Sequence, residues 1–318
     1  MKTNFYLPFF SLLLGCIGSV HAQVPEPAAC EKVRFSTVGW SDIEATTAVT
    51  TFVLSALGYK TEVLTLSVPE TFAALKSKEV DVFLGYWSPT QDSMVQPLLK
   101  NGSIKVLENP NLENARYTLA VPEYLYDQGL KSFADIAKFK TQLEGKIYGI
   151  EAGNDGNVLI QKMIKADQFG LKDFQVVDSS ETGMLDALNQ AERAKKPIVF
   201  LGWEPHPMNL RLRIKYLSGG DEVFGPNFGS SKVYTLVSKD LDKNCPNLYA
   251  FLKNFKLTAD QESWIMLGTF ENTKISKINI GKKWVKVNKE ILKPWLNGVF
   301  DRKGGNAESA VRAALNAP

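Results

Sequence analysis

Short apolar runs alternate with stretches of mixed apolar and polar residues along the first part of the chain. These patterns predict strands and helices in the order strand 33–38, helix 42–57, strand 62–66, helix 68–78 and strand 80–85. Ser41 and Ser67 each stand three residues before a glutamate, Glu44 and Glu70, which is the pattern of a capping box at a helix start. This order of elements is typical of a parallel sheet flanked by helices.

The same order returns in the middle of the chain. Its predicted elements are strand 146–151, helix 157–168, strand 174–177, a helix after Thr182 and strand 198–201. The third strand of each unit ends in a similar sequence, Phe83-Leu84-Gly85-Tyr86-Trp87 in the first and Phe200-Leu201-Gly202-Trp203 in the second. We therefore predict two similar α/β units.

A second internal similarity links Tyr117-Thr118-Leu119-Ala120-Val121 with Tyr234-Thr235-Leu236-Val237-Ser238. Both segments predict strands, and each follows one of the two units, so we expect them to be the strands by which the chain crosses between lobes. The predicted fold is α/β and two-lobed, with each lobe a mostly parallel sheet flanked by helices. Lobe I comprises residues 23–111 and 230–318, lobe II comprises residues 112–229, and the two crossover strands form the hinge.

Helical spacing of apolar residues continues through the tail after Cys245. Trp264, Trp284 and Trp295 lie there among charged residues at helical spacing. We predict that these three side chains pack against other helices and do not contact a ligand.

The first residues predict export from the cytoplasm. Lys2 is followed by an apolar run over residues 5–20 and by small residues up to Ala22, the pattern of a secretory signal peptide removed after residue 22. An alternative is a lipoprotein, since Cys16 ends a Leu-Leu-Gly-Cys sequence in which it would carry the lipid. Either route places the protein in the periplasm, and the apolar run is shorter than a membrane-spanning helix requires.

Composition narrows the function classes. The chain has 37 basic and 34 acidic residues, a formal net charge of +3, so charge gives no indication of nucleic-acid binding. Removal of the leader leaves His206 as the single histidine, which argues against a zinc site and against a catalytic Ser-His-Asp arrangement. Cys30 and Cys245 also remain, and an oxidising compartment favours a disulfide between them over two separate buried thiols. No cofactor is expected.

Candidate ligand contacts follow from the predicted sheet, because open parallel sheets bind ligands at the carboxyl ends of their strands. The residues expected there are Trp40, Asp42, Trp87, the Gly153–Asn157 loop and Trp203. Tryptophan faces attract cations, and several rings together suit a methylated ammonium group that donates no conventional hydrogen bond. The alternative for each tryptophan is core packing, and for the loop it is a metal or phosphate site.

Four segments carry a specific resemblance: 38–43, 85–90, 149–157 and 202–209. They resemble the choline- and betaine-binding periplasmic proteins of ABC transporters, and the similarity covers essentially the whole chain after the leader. The resemblance implies a type II periplasmic-binding-protein fold that closes on its ligand. It also implies a solute-binding protein, expected to be a monomer, that delivers its ligand to a membrane ABC permease.

The same resemblance implies a set of ligand-binding residues. The trimethylammonium group would lie among Trp40, Trp87, Tyr117 and Trp203. The ligand hydroxyl would meet Asp42 and Asn154. Choline has a fixed positive charge and one hydroxyl, so a carboxylate suits it on both counts. Choline is therefore the predicted ligand.

Two alternatives remain at this stage. Glycine betaine, proline betaine or carnitine would use the same aromatic cage but would need a partner for a carboxylate; Arg116 could supply it only by turning inward, and strand alternation sends it to the face opposite Tyr117. An exported hydrolase would need a pair of carboxylates such as Asp42 and Glu204, and no G-x-S-x-G nucleophile motif occurs. We therefore predict a binding protein and not an enzyme.

Overall fold

The computed structural model describes residues 25–272 and 274–317. The predicted signal peptide, with its cleavage site after Ala22 and the alternative lipid site at Cys16, lies outside the described residues. Within the described ranges, every helix is too short or too polar to cross a bilayer.

The strands in chain order are β1 Lys32–Thr37, β2 Lys60–Thr65, β3 Val82–Ser88, β4 Ile104–Val106, β5 Leu112–Pro122, β6 Lys146–Tyr148, β7 Gln175–Val177, β8 Phe200–Glu204, β9 Ile214–Tyr216 and β10 Ser230–Ser238. The helices as far as β10 are α1 Ser41–Ala56, α2 Val68–Ser77, α3 Asp92–Lys100, α4 Glu123–Asp127, α5 Phe133–Ile136, α6 Asp155–Lys165, α7 Glu181–Ala194, α8 Met208–Arg211, α9 Asp221–Phe224 and α10 Pro226–Gly229. The tail adds α11 Leu241–Asn244, α12 Pro246–Asn254, α13 Ala259–Glu271, α14 Lys277–Val287, α15 Leu292–Trp295 and α16 Ala307–Asn316.

These strands form one hydrogen-bonded sheet in the order β2-β1-β3-β10-β5-β8-β6-β7, with β4 on β10 and β9 on β5. The pairs β1–β2, β1–β3, β6–β7 and β6–β8 are parallel, whereas all pairs made by β5 and β10 are antiparallel. We call β1–β3 with α1 and α2 the first unit, and β6–β8 with α6 and α7 the second unit. All strand pairs within each unit are parallel, so the α/β prediction with a mostly parallel sheet in each lobe is confirmed.

The two units have the same internal strand order. Each runs second, first and third strand, followed by one of the long antiparallel strands: β2-β1-β3-β10 in the first unit and β7-β6-β8-β5 in the second. The antiparallel strands contain the two similar segments recognised in the sequence, and they pair with each other in the middle of the sheet, Ser230 opposite Arg116. The internal repeat seen in the sequence is thus a repeat of topology.

One of the two predicted capping boxes is present in the structure, and the other is not. Ser67 and Glu70 form the box at the start of α2, each side chain accepting from the other residue's backbone N–H. The box predicted at Ser41 is wrong, because α1 already begins at Ser41 and Trp40 precedes it without a side-chain cap. The Ser41 N–H donates instead to Glu181 of the second unit, a partner that no local pattern reveals.

Two of the three tryptophans in the tail, Trp284 and Trp295, pack as predicted. Trp295 is buried, with its ring centroid 4.8 Å from that of Phe255, and it stacks on the partly buried Trp284. Trp264, however, is 66% exposed, so its predicted packing is wrong. The inward face of α13 is formed by Glu262, Ile265 and Met266, and helical geometry turns Trp264 away from it.

The predicted disulfide between Cys30 and Cys245 is present, with 5.7 Å between the two Cα atoms. Cys30 lies just before β1 and Cys245 just before α12. The bond therefore ties the start of the first strand to the tail, at the end of the sheet opposite the one where β1 leads into α1.

Candidate functional site

The candidate tryptophans meet at one edge of the sheet because equivalent strands end there. Trp87 and Trp203 belong to the last residues of β3 and β8, so these strands continue through residues that the sequence analysis put just beyond them. Trp40 follows β1 after a turn at Gly39, whose φ of 81° is one that side-chain-bearing residues rarely adopt. The first and second units thus contribute rings to the same space, which we call the cleft.

The cleft contains a small cavity. Its lining residues are Trp40, Asp42, Trp87, Tyr117, Ile150, Asp155 and Trp203. The four aromatic side chains are each at most 6% exposed, so their rings are almost entirely removed from bulk water. The described residues that line it include two carboxylates and no basic side chain.

Tyr117 lies at the centre of the aromatic walls. Its ring centroid is 5.9 Å from that of Trp87 and 6.4 Å from that of Trp203, at interplanar angles of 57° and 79°. Tyr117 and Trp203 are direct partners in the β5–β8 pairing, which fixes their spacing. Phe224 packs edge-on behind Tyr117 at 6.0 Å. The rings therefore present faces at steep angles to one another, the arrangement of a box and not of a stack.

Asp42 supplies one carboxylate of the cavity from the first turn of α1. The Trp87 indole N–H donates to its Oδ2 at 3.1 Å, whereas the buried Oδ1 has no hydrogen-bond partner among the described residues. Burial, followed by the charge of Glu181, raises the pKa of Asp42 to about 7. An unpaired acceptor at this position costs free energy that a donor or a cation in the cavity would recover.

Asp155 supplies the second carboxylate; it lies in the predicted Gly153–Asn157 loop, in which Asn154 was the residue expected to meet the ligand. Its Oδ1 accepts from Gln91 at 3.4 Å and from Asn154 at 3.3 Å, while its buried Oδ2 has no partner in the described part of the chain. Burial raises the pKa of Asp155 to about 6. The glycine-flanked loop was the available signal for this residue, but sequence alone could not separate Asp155 from its neighbour Asn154.

Asn154 lies behind the cavity wall and is not among the lining residues. It caps α6, since its side chain accepts from the Asn157 N–H at 3.0 Å, and it also accepts from the Tyr117 hydroxyl at 3.1 Å. Gly156 allows this approach, because a Cβ there would lie 2.1 Å from the Tyr117 hydroxyl oxygen. In this structure Asn154 therefore orients Tyr117, and contact between Asn154 and a ligand stays a prediction.

Trp40 is oriented by a carboxylate of the second unit. Its indole N–H lies 3.0 Å and 3.1 Å from the two carboxylate oxygens of Glu151, which follows β6. Burial raises the pKa of Glu151. Glu151 was missed from sequence because it acts across the cleft on a residue far away in the chain.

Arg116 turns away from the cavity, as alternation along β5 predicts. Its guanidinium lies 5.0 Å from the Tyr216 ring centroid and 3.7 Å from the Glu204 carboxylate, in a groove on the other side of the strand. Glu204 is therefore also outside the cavity. The Asp42–Glu204 pair that the hydrolase alternative required is not formed.

Chemically, the cavity suits a small organic cation. Ring faces carry negative electrostatic potential. The two carboxylates add acceptor oxygens to which no described residue donates. A ligand carboxylate would face like charges and would find no basic side chain among the described lining residues.

Comparisons with known proteins agree with this chemistry. A family model described as the substrate binding domain of ABC-type glycine betaine transport system matches residues 31–286. A solved ABC-transporter choline binding protein in complex with choline is 48% identical, with a TM-score of 0.89; the match covers 92% of this chain and 100% of that one. Lactococcal OpuAC in its closed-liganded conformation with glycine betaine is 27% identical, with a TM-score of 0.74; the match covers 83% of this chain and 99% of that one.

A further relative is the glycine betaine/carnitine transport binding protein GbuC of Listeria monocytogenes, 32% identical over 158 residues. That match spans 50% of this chain and 51% of GbuC.

Proposed function

The chain belongs to the family of substrate-binding domains of ABC-type glycine betaine transport systems, and we propose that its own ligand is choline, which it holds in the aromatic cavity. The expected resemblance and the expected class, a solute-binding protein acting with a membrane ABC permease and not an enzyme, are confirmed by this membership. Proteins of this class act outside the cytoplasm.

The observation that carries the proposal is the combination of ring faces with unpartnered carboxylate oxygens. Trp40, Trp87, Tyr117 and Trp203 surround the position for a trimethylammonium group. Asp42 Oδ1 and Asp155 Oδ2 remain as acceptors for the ligand hydroxyl and as counter-charges for the cation. Asn154 completes the proposed set by holding Tyr117 and Asp155.

The carboxylates of Asp42 and Asp155 also favour choline over glycine betaine, proline betaine and carnitine. Each of those ligands carries a carboxylate that would be buried beside Asp42 and Asp155, with no basic side chain among the described lining residues, an arrangement that costs several kcal/mol. Arg116 precedes Tyr117 in the sequence and was the candidate partner for a ligand carboxylate. Its contacts with Glu204 and Tyr216 hold it on the opposite face of β5.

Ligand release requires the cleft to open, and the topology supports a specific way of doing so. We assign residues 23–111 and 230–318 to lobe I and residues 112–229 to lobe II, so that the chain crosses between lobes at the first residues of β5 and β10. Bending of these two strands would separate Trp40 and Trp87 from Trp203. The monomer would be the working unit.

Export to the periplasm would follow from a signal peptide over residues 1–22 cut after Ala22, with lipid attachment at Cys16 as the alternative. Mass spectrometry of the protein from membrane and periplasmic fractions separates the two. A soluble chain that begins at Gln23 supports cleavage by signal peptidase, and a lipid-modified Cys16 contradicts it.

Calorimetry on ligand-stripped protein tests the proposed ligand with choline, acetylcholine, glycine betaine and carnitine. Choline should bind more tightly than the two carboxylate ligands. Asp42→Asn should weaken choline by roughly 2 kcal/mol, about 30-fold, because the hydrogen bond loses its charge. Glycine betaine binding should weaken less or improve. Tighter binding of betaine by the unmodified protein would sink the assignment of choline.

A further inference from the structure

One buried carboxylate outside the cavity joins the two units. Glu181 begins α7 in the second unit, and its side chain is 6% exposed. Its Oε2 accepts from the backbone N–H of Ser41 in the first unit at 2.8 Å, and its Oε1 lies 3.2 Å from His206 Nε2. Glu181 is not among the residues that line the cavity.

The hydrogen bonds of His206 fix the direction of its contact with Glu181. Its Nδ1 accepts from the Met208 backbone N–H at 3.0 Å, so the ring proton is on Nε2 and points at Glu181. The imidazole also packs against Trp203, with 4.9 Å between ring centroids. These contacts make His206 part of the turn that follows β8.

Helix α1 lacks a cap of its own. The residue before it, Trp40, offers no side-chain acceptor, so the N–H groups of the first turn need partners from elsewhere. Glu181 provides one, and its negative charge suits the positive end of the helix dipole. Two lining residues of the cavity lie at this end of α1, since Asp42 is in its first turn and Trp40 immediately precedes it.

We infer that Glu181 is a positioning residue for ligand retention, capping α1 across the cleft and fastening that helix to the turn after β8. Its two donors adjoin Trp40 and Asp42 on one side and Trp203 on the other, so the contact holds both walls of the cavity together. The inference rests on the proposed function of the cavity. The cap exists only while the units are in contact, so it acts after the ligand has entered and slows its departure.

Stopped-flow tryptophan fluorescence with choline tests this by separating association from dissociation. In Glu181→Gln the amide has one acceptor oxygen for two donors, so one of the two hydrogen bonds is lost. We expect koff to rise about tenfold, the effect of about one such bond, and kon to change by less than about twofold. Asp186→Asn, which removes an exposed charge from the same helix, should leave both constants unchanged.

A second variant removes the donor and keeps the carboxylate. Ser41→Pro deletes the N–H at the first helical position, where proline is well tolerated, and Trp40 already has the extended backbone that precedes proline. We expect koff to rise by the same factor as in Glu181→Gln. In the double variant the rise should be smaller than the product of the two single rises, because both substitutions affect the same hydrogen bond. Ser41→Ala keeps the N–H and is the matched control.

Unchanged koff in both Glu181→Gln and Ser41→Pro would overturn the inference, as would a loss confined to kon. If the unmodified protein binds no choline, the proposed function fails, and the same koff comparison is then made with glycine betaine, the ligand named for the family. A higher koff for glycine betaine in both variants supports the cap across the cleft, and an unchanged koff contradicts it.

Discussion

Burial of single residues decides the character of this cavity. Asp42 and Asp155 would be ordinary acids on a surface, but among the tryptophan rings each keeps one oxygen that has no donor in the described part of the chain. The indole N–H groups of Trp40 and Trp87 are used to hold Glu151 and Asp42, which leaves the ring faces for a ligand. The same residues thus provide both the attraction for a cation and the rigidity of the site.

The pH dependence of choline affinity follows from the raised pKa of Asp42. A bound cation favours the ionised carboxylate, so below about pH 7 binding must release a proton. Affinity should therefore fall as the pH drops below 7, by up to about tenfold per pH unit, and be constant above about pH 8. Calorimetry between pH 5.5 and 8.5 measures this in buffers of different ionisation enthalpy. In Asp42→Asn, choline affinity should depend less on pH, because this side chain no longer titrates. A choline affinity of the unmodified protein that does not change with pH contradicts the prediction.

The contribution of the ring faces can be measured with a pair of tryptophan substitutions. Trp203→Ala should weaken choline binding by about 1 to 2 kcal/mol or more, because a desolvated cation loses one wall of its box. Trp264→Ala removes an equally large but exposed side chain and should leave affinity unchanged. Equal losses in both variants would indicate that the effect is not local to the cavity.

Between elements, the main question is how helix ends are capped. Helix α2 carries its own capping box, whereas α1 depends on an acceptor from α7. The glutamate in the apparent box of α1, Glu44, pairs with Lys277 of α14 instead. Identical local patterns thus have different partners, because α1 lies between the cleft and the tail helices whereas the start of α2 is open to solvent.

Ser67→Ala and Ser41→Ala test this difference in thermal or urea unfolding of the ligand-free protein. Ser67→Ala should lower the free energy of unfolding by about 1 kcal/mol, the usual effect of losing a cap. Ser41→Ala should cost less, because the buried Ser41 Oγ has no partner among the described residues. The reverse order would restore the capping box that the sequence suggested for α1.

At the scale of the whole molecule, two parallel units are joined through antiparallel β5 and β10 into one sheet. The disulfide Cys30–Cys245 adds a covalent link between residues separated by 215 positions, at the end of β1 away from the cavity. Its position makes it a device for stability and not for ligand contact.

Replacing Cys30 and Cys245 together by alanine should lower the free energy of unfolding by about 2 to 4 kcal/mol, since the cross-link restricts the unfolded chain. Choline affinity of the folded variant should be unchanged. Urea denaturation and calorimetry on the same samples check both. A large loss of affinity would show that the disulfide also shapes the cleft.

Much of this protein is determined by local sequence. The strand and helix order, the repeat of two units, the capping box at Ser67 and the gathering of tryptophans at strand ends follow from short-range patterns and from the geometry of parallel sheets. The disulfide also follows, because few cysteines remain in an exported chain. Trp264 was misplaced because helical spacing alone does not fix which face of α13 is turned inward.

Only the tertiary structure decided which polar groups surround the cavity. Glu151 and Glu181 contact residues of the other unit, and Asp155 contacts Gln91, which is 64 positions away in the chain. Sequence spacing carries no information about such contacts. Asn154 and Asp155 are adjacent in the chain, yet Asp155 faces the cavity and Asn154 supports Tyr117. Which carboxylate oxygens lack a donor depends on all neighbours at once, and that is settled only when the two units meet.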